Sequence, residues 1–193
     1  MPQRSKILIV TGVLLVLVSL VLLVGWRITA NTAKDRAEDI VDSLEKLLPK
    51  RSTGITAEYS DMNMPVLELD GHDLVAIIEI PELKVSLPVG SVWESSGIAS
   101  YPRRFTGTVY DGSLVIGGAD QKGQFDFIGK TDIGMSVVVT DMTGAEFSYT
   151  VSRVDRSASA DAEVICSDDP GLTLFARDAY SMEYIIVRCS PCK

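Results

Sequence analysis

The stretch LTLFARDAYSMEYIIVRC, residues 172–189, decides how the chain is to be read. Two short runs rich in branched and aromatic residues, 172–177 and 184–189, flank the polar segment 178–183. Runs of this length interrupted by Asp, Ser and Glu predict two strands joined by a tight turn, not one helix. The same texture continues upstream in LVAIIEIPEL, KVSLPVG, SLVIGGA, MSVVVTD and EFSYTVSRV, divided by turn residues such as Asp111-Gly112 and Met142-Thr143-Gly144. Short strands at this spacing predict an all-β domain, a compact barrel or sandwich, over residues 64–193. Only residues 121–133, with Phe125, Ile128 and Gly129, leave room for a short helix.

The opening of the chain has a different character. Residues 7–26, ILIVTGVLLVLVSLVLLVGW, are 20 residues without a charge, enough for a helix to cross ~30 Å of hydrocarbon. The run exceeds the roughly 7–15 apolar residues of a signal peptide, and residues 29–33 are where a cleavage site would fall. Arg4 and Lys6 before it and Arg27, Lys34 and Arg36 after it nearly balance, so orientation rests on length. A six-residue tail stays inside while a long domain is translocated. The expectation is a cytoplasmic tail (1–6), a transmembrane helix (7–26) and an extracytoplasmic remainder. In residues 31–48 Ala37, Ile40, Val41, Leu44, Leu47 and Leu48 recur at helical spacing opposite Asp35, Glu38, Asp39, Asp42 and Glu45, which predicts an amphipathic helix beside the membrane. Residues 49–63 read as a linker.

Leaving out Arg4 and Lys6, 16 basic residues face 26 acidic ones, a balance of −10 beyond the span. Such a domain does not seek nucleic acid or an anionic lipid surface. Cys166, Cys189 and Cys192 are too few for a disulfide-dense module. Cys189-Ser190-Pro191-Cys192 has CxxC spacing, but His72 is the sole histidine, so a zinc site lacks ligands. With no helix after it to lower a thiol pKa, the pair reads as a local disulfide or as two idle thiols. Neither a metal nor a cofactor is expected.

Several separated stretches together resemble one family. IEIPELKVSLPV (78–89), Trp93, YPRRFTGTVYDGSLVIGGA (101–119) and the pair LTLFAR and YIIVRC are similar to a sortase, most closely of class B. The resemblance implies a closed eight-stranded β-barrel with short helices, preceded by the transmembrane and juxtamembrane helices. It also implies a cysteine transpeptidase of a Gram-positive surface, which cuts a sorting peptide and passes the acyl group to an amine. That chemistry needs a Cys thiolate to attack, a His to protonate the leaving amine and an Arg to hold the oxyanion.

By the resemblance, the histidine would close the strand SLVIGGA, where Ala119 stands. The nucleophile would end a Thr-Leu-x-Thr-Cys run, which here reads Thr173, Leu174, Phe175, Ala176, Arg177. The arginine would stand three residues before Val187-Arg188-Cys189, where Tyr184 stands, or Glu183 after a one-residue slip. A guanidinium cannot attack a carbonyl, a methyl cannot shuttle a proton, and a phenol has one donor against five. The reading is therefore a pseudoenzyme that binds a sorting-signal peptide, a pilin or an active sortase. The alternatives are an active class B-type sortase that uses other residues and a purely structural part of a surface assembly.

Asp120, Arg177, Tyr184 and Arg104 are the peptide-groove candidates. Arg177 is expected to pair with Asp120 or lean toward a ligand carboxylate, because an unpaired charge in a groove loses hydration. Asp178 is expected to point the other way. Arg103 and Arg104 are read as rim-loop residues, His72 as a solvated turn residue, and Asp155, Asp161, Glu163, Asp168 and Asp169 as a solvated acidic loop, not a calcium site.

Overall fold

Burial after residue 63 comes in continuous runs, such as Leu74–Ile78, Leu114–Gly117 and Gly171–Ala176, as strands covered on both faces require. The structure, a computed structural model, describes the backbone of residues 2–48, 52–53, 63–93, 101–166 and 171–192, and their side chains except those of 2–10, 24–31 and 52–53. In chain order the elements are α1 (Pro2–Leu47), β1 (Ser52–Thr53), β2 (Leu67–Leu69), β3 (His72–Ile80), β4 (Val85–Gly90), β5 (Arg103–Thr106) and β6 (Ser113–Ala119). There follow β7 (Ser136–Asp141), β8 (Ala145–Ser157), α2 (Ala162–Ile165), β9 (Gly171–Arg177) and β10 (Tyr184–Pro191), with single 3₁₀ turns at Pro81–Leu83 and Ile128–Lys130.

The strands pair in the order β3, β4, β5, β6, β9, β10, β8, and β7 closes the ring by pairing with both β8 and β3. This is an eight-stranded barrel, with β1 added beside β8 and β2 beside β3. The pairings make β3, β6, β8 and β9 run one way and β4, β5, β7 and β10 the other. Inside, Leu114 and Ile116 of β6, Leu172, Leu174 and Ala176 of β9, and Ile185, Val187 and Cys189 of β10 join Val75, Ile78, Val89 and Val139 in one buried cluster.

Several expectations are corrected. The two helices predicted at 7–26 and 31–48 are one continuous helix, α1. The expected span lies within it, with the side chains of residues 7–10 and 24–26 outside those described; among the described residues no helix is long and apolar enough to cross a membrane. The amphipathic part docks on the barrel: Ala37, Val41 and Leu44 are buried, the last two against Leu74, Ile77 and Tyr101. Most of the linker is outside the described residues, yet Ser52 and Thr53 within it pair in parallel with Ala145 and Glu146. Two residues are too short to carry a periodicity. Arg103 and Arg104 belong to β5 and not to a rim loop. The run LVAIIEIPEL ends as a strand at Ile80, because Pro81 has no N–H to give a ladder. The segment 121–133 contains turns and one 3₁₀ turn.

Candidate functional site

The residues of β6, β9 and β10 that point away from the core form a second, outward face. Val115, Phe175 and Ile186, with Ile165 of α2, are buried in their own cluster, and Trp93, Phe105, Val164 and Tyr184 pack against it. The rings of Trp93, Phe105 and Phe175 lie 5.4–5.6 Å apart, centre to centre, within the range of favourable aromatic contact. Gly117 makes this possible, since a methyl there would overlap the rings of both Trp93 and Phe175.

One step along each strand, the outward face turns polar. Ala119 is the register partner of Arg177 in the parallel pair β6/β9, and Arg177 is the partner of Tyr184 in the antiparallel pair β9/β10. The three positions singled out in the sequence therefore stand side by side on three adjacent strands, each about 4.8 Å from the next. Tyr184, not Glu183, is the strand residue opposite Arg177.

Local hydrogen bonds hold this row in place. The Ala119 N–H donates to the buried Gln124 side chain (2.8 Å), and the Ala119 carbonyl accepts from the N–H groups of Gln121 and Phe125. Arg177 is exposed; its Nε donates to the Met182 carbonyl (3.1 Å) and its guanidinium lies 5.9 Å over the Tyr184 ring, a cation–π arrangement. In the turn between β9 and β10 the Asp178 carboxylate accepts from the N–H groups of Tyr180 (2.7 Å) and Ser181 (3.2 Å) and from Arg156 (3.2 Å). Those donors, the Tyr180 amide first, hold the Asp178 carboxyl below its ordinary pKa.

The expected Arg177–Asp120 pair is not formed. Asp120 accepts instead from the Ala179 N–H (3.2 Å), and the bend of the turn brings the Met182 carbonyl to Arg177. β9 ends at Arg177, so Asp178 lies in the turn, where Arg156 engages it. Arg104 lies on β5, two strands from Arg177, with its Nε donating to the Ser91 carbonyl (3.1 Å). The structure thus brings Ala119, Asp120, Arg177 and Tyr184 together and leaves Arg104 apart.

His72 is the first residue of β3 and not a turn residue; it sits edge-on to Tyr101, 5.4 Å between ring centres. In the ring of eight, β3 is four strands from β9 in either direction. All three cysteines are free. Burial pushes the Cys189 thiol up to about 12, so it is no thiolate at neutral pH. Cys189 and Cys192 are three residues apart on an extended run, ~10 Å of chain, beyond the ~7 Å between Cα atoms that a disulfide spans. Among the described residues no group of His, Cys, Asp and Glu is placed to hold a metal ion. Asp155 is tied to Arg153 (2.7 Å), and Asp168 and Asp169 lie outside the described residues.

Sequence reasoning missed α2 and what it covers. Arg188 of β10 donates to the carbonyls of Val164 (2.7 Å) and Ile165 (3.3 Å) and so pins α2 onto the outward face. At the far end of that face, away from Ala119, lies a cleft of about 570 Å³ lined by Thr106, Ser113, Thr173, Arg188, Cys166 and Cys189, among others. No local motif announces either, because both form only when distant strands meet.

The closed barrel has the sortase fold. Sortase C from Clostridium perfringens SM101 matches with a TM-score of 0.53 at 20% identity, over 63% of this chain and 71% of that one. Sortase A from Listeria monocytogenes matches at 0.54 and 18%, over 62% and 88%. Sortase A from Corynebacterium diphtheriae matches at 0.55 and 14%, over 85% and 84%. No family model matches the chain, and no curated protein does.

Proposed function

We propose that this chain is a membrane-anchored, class B-like pseudo-sortase of a Gram-positive-type cell surface, which holds a sorting-signal peptide, a pilin or a partner sortase without cleaving it. The observation that carries the reading is the row Ala119, Arg177, Tyr184, side by side on one face of β6, β9 and β10. By the sortase resemblance these places belong to the histidine, the cysteine and the arginine. None of the three side chains present can do the work of the residue it replaces. No substitute is close: the sole histidine is on the opposite wall of the barrel and Cys189 is buried. What remains is a cation backed by an aromatic ring at the edge of an aromatic cluster, a surface suited to a peptide carboxylate or carbonyl.

The anchor is the apolar part of α1. Its large apolar side chains from Val13 to Leu23 lie all round the helix and are open, from 48% exposed at Val18 to 70% at Val21. A helix that is hydrophobic all round needs an apolar surrounding. With the short tail inside, the barrel lies outside the membrane.

The test is incubation of the full chain, in lipid nanodiscs, with fluorescent sorting-type peptides, following anisotropy for binding and mass spectrometry for cleavage. Binding without cleavage is expected, weakened by Arg177→Ala. Thiol-dependent cleavage abolished by Cys166→Ala or Cys189→Ala would establish the active-enzyme reading instead. Absence of binding at millimolar peptide would leave a structural role.

A further inference from the structure

We propose that the barrel end carrying Ala119, Arg177 and Tyr184 rests on the membrane from which α1 emerges, with Tyr180, Met182 and Ile133 reaching its headgroup layer. This rests on the reading that the apolar part of α1 is embedded in a bilayer.

Strand direction fixes which connections share that end. β3, β6 and β9 all run toward it, so Lys84 after β3, residues 120–135 after β6 and residues 178–183 after β9 form one rim. α1 passes the same rim. The backbone of Ala33 and Lys34 is packed so closely on Gly123 that a methyl there would collide with it. Lys34 and Glu38 line a cleft together with Leu83, Lys84, Lys122 and Lys130. Farther along the helix, Val41 and Leu44 pack on Leu74, near the start of β3, with Met142, just past the end of β7, against the same cluster. Both of those places belong to the opposite end of the barrel. Followed backward toward its apolar part, α1 therefore leaves the barrel past the rim that carries the site.

Helix length sets the height. Eight residues separate Trp26, the last of the apolar run, from Lys34, which is about 12 Å at 1.5 Å per residue. The headgroup layer takes up roughly half of that distance, and side chains projecting from the rim span the rest. The rim offers suitable side chains: Tyr180 is 95% exposed, Ile133 70% and Met182 53%. An aromatic phenol with apolar neighbours is favoured at a membrane interface. The charges around them are mixed, with Lys34, Lys84, Lys122 and Lys130 set among Glu38, Asp126, Asp132 and Glu183, so the contact is apolar and does not require anionic lipid.

The test uses the full chain reconstituted in phosphatidylcholine vesicles that contain lipid brominated near the headgroup. Tyr180→Trp adds a probe at the rim; Leu47→Trp adds one at the other end of the docked helix, about 20 Å farther from the membrane than the rim by helix rise from Lys34. Flotation of vesicles reports anchoring independently of either probe. Expected is a loss of at least a third of the added Tyr180→Trp emission, little change for Leu47→Trp, and the same result with or without phosphatidylglycerol. A chain that floats but whose rim probe is unquenched, or is quenched no more than the Leu47→Trp probe, overturns the contact while anchoring stands. Quenching that needs phosphatidylglycerol overturns its apolar nature. A chain that does not float overturns anchoring and the contact with it.

Discussion

Placing a thiol and an imidazole at the row on β6 and β9 gives a quantitative check of their geometry. The perturbation is Arg177→Cys, alone and combined with Ala119→His, in a background with Cys166→Ser and Cys192→Ser so that only buried Cys189 remains. Positions 119 and 177 are register partners on adjacent strands, about 4.8 Å apart. A thiolate and an imidazolium there approach within ~4 Å. At an exposed site, where the effective dielectric constant is about 40–80, their attraction is about 1–2 kcal/mol, equivalent to roughly 1 pKa unit. The single variant should therefore alkylate with an apparent pKa near ~8.5, the free-thiol value; the double variant should keep that main step, because an imidazole of pKa about 6.5 is neutral by then, and add a thiolate fraction of about a tenth near pH 7, roughly a threefold faster reaction there. Adding Tyr184→Arg places a cation that keeps its charge beside the thiol and should lower the main step by about one unit. The assay is the rate of iodoacetamide alkylation against pH, with the site confirmed by peptide mass mapping. Coincident pH profiles for the single and double variants would refute the side-by-side placement of 119 and 177, and with it the reading of Arg177 as the occupant of a nucleophile position.

Other expectations concern the framework around the site. Asp141 is buried and accepts from Tyr110 Oη (2.7 Å), both the N–H and the hydroxyl of Thr143 (2.8 and 2.6 Å) and the Ala145 N–H (3.0 Å). Asp141→Ala should cost about 1–3 kcal/mol, since it takes the acceptor from the buried Ala145 N–H and from the half-buried Tyr110 hydroxyl; a urea midpoint shift worth under about 0.5 kcal/mol would contradict this. Cys189, its thiol raised to about 12 by burial, should resist alkylation at pH 9 in the folded chain and react once guanidinium unfolds it; ready labelling of the native protein would refute its placement. Because the Asp178 carboxyl is held below its ordinary pKa by the Tyr180 and Ser181 amides and Arg156, its stabilisation of the turn is fully present above ~3.9. It is lost as pH falls through the depressed value. Amide shifts of Tyr180 and Ser181 should follow that titration, and the dependence should vanish in Asp178→Asn; identical shifts in both proteins across the range would be the contrary result.

Strands whose two faces see different surroundings were legible in the sequence. LTLFAR and YIIVRC are short, nearly continuous runs of branched and aromatic residues, packed on both faces and bounded by a turn with its own Asp, so local chemistry and tertiary pairing agree. β5 was not legible, because Arg103 and Arg104 mask it: the alternation is hidden when one arginine donates to a carbonyl across the sheet end, as Arg104 does to Ser91. α2 is a single turn that depends on Arg188 reaching its carbonyls from another strand. The row at Ala119, Arg177 and Tyr184 was found from flanking motifs, but its partners were not. Whether Asp120 faces Arg177 or Ala179 is decided by the path of a six-residue turn, and no periodicity encodes that path.

The alternation along β9 separates two kinds of change. Leu172, Leu174 and Ala176 set how tightly the barrel closes, while Arg177 at the end of the strand is exposed and contributes to that closure only through its own backbone. Substituting a residue of the first set opens a cavity in the wall; exchanging Arg177 alters what the rim presents while the wall is left intact. A barrel built this way can be reassigned from one ligand chemistry to another by exchanging the residues at the open ends of β6 and β9, Ala119 and Arg177, while the packed residues behind them stay as they are.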